Sequence, residues 1–192
     1  MSTIALTLHE PTARRVREVW DVLEAGVGVR GIRKVPFPHV TLFGCEGIAH
    51  AALEPMVEVV TAKVPPLQLR TVGIGLFLRP QPVFYAPIIR NPQLAELHQR
   101  LWNQAGTLGG RLFGLYAPNR WVPHLSLAQG DLDPEGLAKV FEALVALDLE
   151  LEFEVRNLTI YDWVGPRYEP RERYPLLGRP ADAPDRPLPS MA

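Results

Sequence analysis

The chain has 192 residues, 47% of them hydrophobic and 21% charged, with 20 Lys and Arg against 21 Asp and Glu. That is globular composition rather than disorder, and the length lets one domain, or two small lobes sharing an interface, bury a stable core. A formal net charge of −1 argues against a dominant phosphate-neutralising surface, hence against duplex DNA or a membrane surface as partner, but leaves room for a small phosphorylated ligand held in a cleft.

Ile4, Leu6 and Leu8 alternate with polar or small residues and predict a half-buried strand. Val16, Val19, Trp20 and Leu23 follow at helical spacing, between Pro11 and Gly26. Residues 35–43 read as a second strand, entered through Pro36 and Pro38, and Leu53, Met56, Val57 and Val60 as a second helix stopped by Pro65-Pro66. Residues 67–78 and 83–89 predict two further strands around the turn Arg79-Pro80-Gln81-Pro82.

The second half has a similar inventory. Asn91-Pro92 and Asp133-Pro134 are N-cap and N1 pairs that open helices carrying Leu94, Leu97 and Leu101, and Leu137, Val140, Phe141 and Leu144. Residues 120–128 predict a strand between those helices. Leu149 to Val155 alternate with Glu150, Glu152, Glu154 and Arg156, a strand with one wet face. Residues 158–164 and 174–177 add strand material, and the Pro-rich stretch 179–192 reads as a flexible tail.

An internal repeat carries the chemistry. Pro38-His39-Val40-Thr41-Leu42 and Pro123-His124-Leu125-Ser126-Leu127 share the pattern Pro-His-aliphatic-hydroxyl-Leu, and the two histidines are 85 residues apart. The strand period puts His39 and Thr41 on one face and Val40 and Leu42 on the other, and does the same for His124 and Ser126. With the apolar faces in two cores, each lobe presents an imidazole beside a hydroxyl. Two such lobes facing each other supply an acid, a base and two neutral donors for phosphate oxygens, which suits in-line phosphoester cleavage. No Gly-x-Ser-x-Gly turn surrounds Ser126, so a serine nucleophile is disfavoured. No third ligand accompanies the two histidines at a metal-binding spacing, so neither metal nor cofactor is expected.

The duplicated motif resembles the two-histidine (2H) phosphoesterase superfamily, whose signature is a pair of His-x-Thr/Ser motifs, one per lobe of a duplicated α/β fold. The resemblance extends to about Gly178. It implies an α+β fold of two lobes, each an antiparallel sheet with helices on its outer face, with the active-site cleft between them, over residues 1–178. It also implies a 2′,3′-cyclic phosphodiesterase acting on RNA ends or cyclic nucleotides, with weak 2′-5′ ligation as the reverse reaction. In that reading His39 protonates the leaving ribose oxygen, His124 activates water, and Thr41 and Ser126 bind phosphate; the residues themselves do not say which imidazole does which. The ligase group often carries Arg five residues after the second His, where this chain has Gln129, and Phe84-Tyr85 with Pro-His-Leu-Ser-Leu looks more like the cyclic-phosphodiesterase group. A nucleotide-binding module without turnover, and a 2H enzyme acting on ADP-ribose cyclic phosphate or another non-RNA diester, are the alternatives.

Tyr85, Tyr116 and Trp121 are candidates for stacking on a base, and Arg33, Lys34 and Arg120 for rimming the cleft. His50 and His98 read as structural, His9 sits near a strand end, and Cys45, the only cysteine, reads as a small buried residue. No apolar run reaches the roughly 18 residues of a membrane span and no signal peptide is apparent, so a cytoplasmic protein is expected. The duplication supplies both halves of a site within one chain, so a monomer is expected. Two imidazoles also predict a bell-shaped pH dependence of kcat/KM, with its maximum at about pH 6–8.

Overall fold

The side chains of Asn91 and Asp133 accept hydrogen bonds from the backbone N–H of Leu94 (2.8 Å) and Gly136 (2.7 Å), each with proline as the next residue. Those caps start helices α3 (Pro92–Ala105) and α4 (Pro134–Val145), where the N-cap and N1 signals place them. Helix α1 (Thr12–Val27) ends on Gly28, which takes the left-handed φ of 78° that closes a helix, and α2 spans His50–Thr61. The computed structural model describes residues 1–130 and 132–179; the predicted flexible tail lies, apart from Arg179, outside the described residues.

Among the described residues, ten strands form two antiparallel arrays. One is a five-stranded sheet in the order β10 (Tyr168–Pro175), β9 (Asn157–Trp163), β1 (Ser2–Thr7), β2 (His39–Glu46), β6 (Arg111–Leu112). The other combines the pair β3 (Leu67–Arg70) and β8 (Glu152–Val155) with the sheet β4 (Gly75–Phe77), β5 (Val83–Pro87), β7 (His124–Gln129). A bridge between Thr71 and Ile88, with bonds from Val72 N to Pro87 O and Ile89 N to Arg70 O, joins the pair to the sheet. The strand expected over residues 67–78 is thus broken into β3 and β4, around Gly73 with φ of 61°.

Helices α2 and α3 pack together, with α2 also against β9 and β10; α1 and α4 pack together, with α1 also against β7. The fold is therefore α+β with two lobes, but the lobes are not the two halves of the chain. The N-terminal strands share a sheet with the C-terminal ones, while α1, which lies between β1 and β2 in sequence, belongs to the other lobe. Amphipathic α1 buries Val16, Trp20 and Leu23, and the β1, β2 and β9 strands bury Ile4, Leu6, Val40, Leu42 and Ile160.

Both motif strands begin at the histidine itself, later than the expected starts at residues 35 and 120. Pro36, Pro38 and Pro123 have no N–H to give a ladder, so pairing starts one residue after the last proline. Residues 31–34 form a 3₁₀ turn just ahead of that delayed start. Strand β10 runs from Tyr168 to Pro175, where strand was expected over 174–177, and the two-residue β6 has no signal in the sequence.

Candidate active site

Strands β2 and β7, one from each lobe, are in contact, and the residues that alternate away from the cores meet in one cleft of about 510 Å³. His39, Thr41, His124 and Ser126 all line it. Val40, Leu42, Leu125 and Leu127, the intervening residues, are buried. The period-2 alternation thus divides each motif into a cleft face and a core face.

The two imidazoles are held alike. His39 Nδ1 bonds to the carbonyl of Phe37 at 2.7 Å, and His124 Nδ1 to the carbonyl of Val122 at 2.7 Å. A carbonyl only accepts, so Nδ1 carries the hydrogen in both rings and Nε2 is the atom left to exchange a proton with a ligand. A neutral ring then offers Nε2 as a base, and a protonated one offers Nε2–H as an acid. Burial lowers the pKa of both histidines below the ordinary value; for His39 the bond to Phe37 opposes the drop and the charge of His124 adds to it. These causes pull the free protein's proton-exchange range below the neutral centre expected from unperturbed imidazoles.

Each imidazole leans on aromatic rings. Tyr161 of β9 lies 5.7 Å from His39 between ring centroids, while Tyr85 of β5 and Phe77 of β4 each lie 5.1 Å from His124. Tyr85 and Phe77 are themselves stacked at 4.1 Å. Tyr161 and Phe77 line the cleft and were not legible as site residues. Phe77 falls on the face of β4 shared with Gly75, which strand period alone could have suggested. Tyr161 reaches the site through β9 pairing with β1, across more than 150 residues of sequence, and nothing local signals that.

The expected aromatic platforms need correction. Tyr85 is 9% exposed and does not line the cleft, because Phe77 covers it and its ring lies against Gly75. Trp121 borders the cleft but is 4% exposed, with its ring stacked on His98 at 3.8 Å and its N–H bonded to the carbonyl of Thr41. Neither offers a ring face to a base. Tyr116 does line the cleft, and burial pushes its phenol up to about 12, so it stays a neutral hydroxyl.

Among the candidate rim cations, Arg120 lines the cleft, together with Arg79 from the β4–β5 connection. Arg33 does not; it pairs with Asp21 and Glu24 of α1, and Lys34 does not line the cleft either. Among the described residues that line the cleft there is no Asp or Glu, which gives it a cationic and hydrogen-bond-donating character. Gln129, at the position where the ligase group often has Arg, also lines it.

The other histidines stand elsewhere. His9 is bonded to Asn157 at 3.0 Å, His50 to Glu54 at 2.7 Å, and buried His98 to the carbonyl of Leu42 at 3.1 Å. Cys45 is buried and free. Among the described residues no group of three or more His, Cys, Asp or Glu is gathered to hold a metal ion, and no helix is long and apolar enough to cross a membrane.

The family model of the 2′-5′ RNA ligase superfamily matches residues 8–167. The structure is similar to that of TT0787 of Thermus thermophilus, with a TM-score of 0.67 and 19% identity over 92% of this chain and 98% of that one. It is similar also to E. coli LigT complexed with 3′-AMP, with a TM-score of 0.62 and 19% identity over 91% of this chain and 97% of that one. Comparison with curated proteins gives no match. The structural likenesses, at these identities, are likenesses of fold. The match over residues 8–167, which takes in both histidine motifs, settles the family: the chain belongs to the 2′-5′ RNA ligase superfamily, whose members are phosphoesterases.

Proposed function

We propose that this protein is a metal-independent cyclic phosphodiesterase that opens a 2′,3′-cyclic phosphate, on an RNA end or a nucleotide, to a 2′-phosphomonoester. The observation that carries the reading is the matched pair of imidazoles: one from each lobe, each fixed by an Nδ1 bond to a carbonyl two residues back, both lining one cleft with a hydroxyl beside each. In-line displacement at phosphorus needs a base on the side of the entering oxygen and an acid on the side of the leaving one, and two lobes facing each other supply two such sides.

In this reading the neutral His124 takes a proton from water through Nε2 as the water oxygen bonds to phosphorus. The bond from phosphorus to the ribose 3′ oxygen breaks, and Nε2–H of His39 gives that oxygen its proton. Thr41 and Ser126 donate to the non-bridging oxygens without needing charge, and Arg79 and Arg120 draw the anionic substrate to the rim. With a ribose 5′-hydroxyl entering in place of water, and the 3′ oxygen again leaving with the proton from His39, the same site gives a weak 2′-5′ ligation. LigT has been crystallised with 3′-AMP, with ATP and with phosphate, ligands of the chemistry that a donor-rich cleft favours. A single chain completes this site, so the enzyme works as a monomer, and we place it in the cytoplasm.

Chromatographic identification of products tests the proposal, with cyclic mononucleotides, cyclic-ended oligonucleotides and ADP-ribose cyclic phosphate as substrates in excess chelator. A 2′-phosphate formed at undiminished rate supports it. Activity that vanishes with chelation contradicts the metal-free reaction. Binding without turnover of any of the three would instead make the cleft a nucleotide-binding module.

A further inference from the structure

Both motifs contain a β-bulge at the same residue. Along the β1–β2 pair, Ile4 faces Phe43 and Ala5 faces Thr41, so Leu42 is the extra residue; along β5–β7, Phe84 faces Ala128 and Tyr85 faces Ser126, so Leu127 is the extra one. The leucine that closes each His-x-hydroxyl-Leu motif is therefore the bulged residue. On β7 the burial pattern agrees, since alternation stops there with Leu127 and Ala128 both buried; on β2 every residue from Val40 to Cys45 is buried. A bulge breaks the ladder and re-aims the neighbouring side chain, here the hydroxyl residue just before it.

Both motif strands also lack a second neighbour at this point. Strand β7 is at the end of its sheet, and β6 pairs with β2 only at Cys45 and Glu46. A buried carbonyl at a bulge on such an edge needs a donor from outside the sheet. In each lobe it is an indole: Trp121 Nε1–H donates to the carbonyl of Thr41 at 2.9 Å, and Trp20 Nε1–H, from α1, donates to the carbonyl of Ser126 at 3.0 Å. On β2 the capping extends one residue further. His98 bonds to the carbonyl of Leu42 at 3.1 Å and stacks on Trp121 at 3.8 Å with the rings within 3° of parallel.

We infer that Trp20 and Trp121 are positioning residues, each fixing, through a backbone carbonyl, the hydroxyl residue that binds the phosphate in its lobe. His98 fixes the plane of the Trp121 indole. The inference rests on the phosphoesterase reading for the role of the hydroxyls, and on the bulges and bonds alone for which indole serves which hydroxyl: Trp121 acts through Thr41 and Trp20 through Ser126.

Trp20→Phe and Trp121→Phe keep an aromatic ring and remove the N–H. Each is to be measured alone and combined with Thr41→Ala and with Ser126→Ala, using a 2′,3′-cyclic nucleotide as substrate. Each indole change is expected to lower kcat/KM by about 10-fold or more, approaching the roughly 10²-fold that a misplaced group costs. The decisive expectation is non-additivity with the matched partner only. Trp121→Phe should add little on the Thr41→Ala background and its full effect on Ser126→Ala, with the opposite pattern for Trp20→Phe. A purely structural role gives the same loss on both backgrounds, and that result overturns the inference. If Thr41→Ala and Ser126→Ala themselves keep full turnover, the phosphate role of the hydroxyls fails and this inference falls with it. A measurement on the unmutated protein needs no variant to fold: titrating inorganic phosphate should shift the indole N–H resonances of Trp20 and Trp121 and leave those of Trp102 and Trp163 in place. Unmoved Trp20 and Trp121 signals at saturating phosphate also overturn it.

Discussion

The ring of Tyr85 lies 5.1 Å from the imidazole of His124 and directly against the backbone of Gly75, where an added Cβ would come within 2.3 Å of it. Tyr85 is thus a wall behind the histidine rather than a surface for a base. Tyr85→Phe keeps that wall and should leave turnover within a few-fold of the parent. Tyr85→Ala opens a cavity beside His124 and should cost about 3–5 kcal/mol of stability, as large aromatic truncations do. Thermal unfolding and steady-state kinetics of the two variants check this; equal losses from both would mean that the hydroxyl, not the ring, matters.

The pH dependence follows from the burial of both imidazoles. Burial lowers both pKa values in the free protein, so the form with one neutral and one protonated ring is populated below the ordinary value of about 6.5. The maximum of kcat/KM, which reports the free enzyme, is expected below about pH 6.5, more acidic than two unperturbed histidines imply. A bound phosphate anion favours the protonated ring, so the kcat profile should lie at higher pH than the kcat/KM profile. The apparent values belong to the coupled pair rather than to either ring. Coincident profiles centred above pH 7 would contradict this.

Arg79 and Arg120 are exposed, line the cleft and form no ion pair among the described residues. Replacing either with Gln should raise KM by about two- to fivefold, the range expected of an exposed charge contact, and leave kcat nearly unchanged. The effect should shrink as salt rises. A fall in kcat with unchanged KM would place the arginine at the reacting phosphate instead of the rim.

Buried His98 has its pKa lowered to about 4, chiefly by burial, with the bond to Leu42 opposing. A histidine with a depressed folded pKa binds its proton more readily when unfolded, so stability is lost as pH falls from about 6.5 toward about 4. His39 and His124 shift in the same direction. The melting temperature should therefore fall over that window, and less steeply in His98→Gln. An unchanged slope in the variant would assign the acid sensitivity to the cleft pair alone.

The sequence showed most plainly what depends on neighbours within a few residues. Asn91-Pro92 and Asp133-Pro134 start helices because a cap is a local hydrogen bond, and His39 with Thr41 share a face because strand period is local too. The repeat made the second motif legible from the first. What depends on long-range pairing was hidden: that β9 lies beside β1 and brings Tyr161 to His39, or that α1 crosses to the other lobe and brings Trp20 to Ser126. Trp20 and Trp121 fit a helical stripe and a stacking platform equally well as letters, and only the bulges at Leu42 and Leu127 show why their N–H groups are needed. Arg33 could not be told from a rim cation, because the chain must turn back after α1 before Asp21 and Glu24 can face it.

The most direct test of the account is the turnover of a 2′,3′-cyclic nucleotide by His39→Ala, His124→Ala and the double variant against the parent. An acid–base pair acting as one unit predicts that each single change lowers kcat by roughly 10²–10⁴-fold and that the double falls little further than the worse single. Either single variant keeping most of the parent's rate would contradict the assignment of these two histidines as the acid and the base.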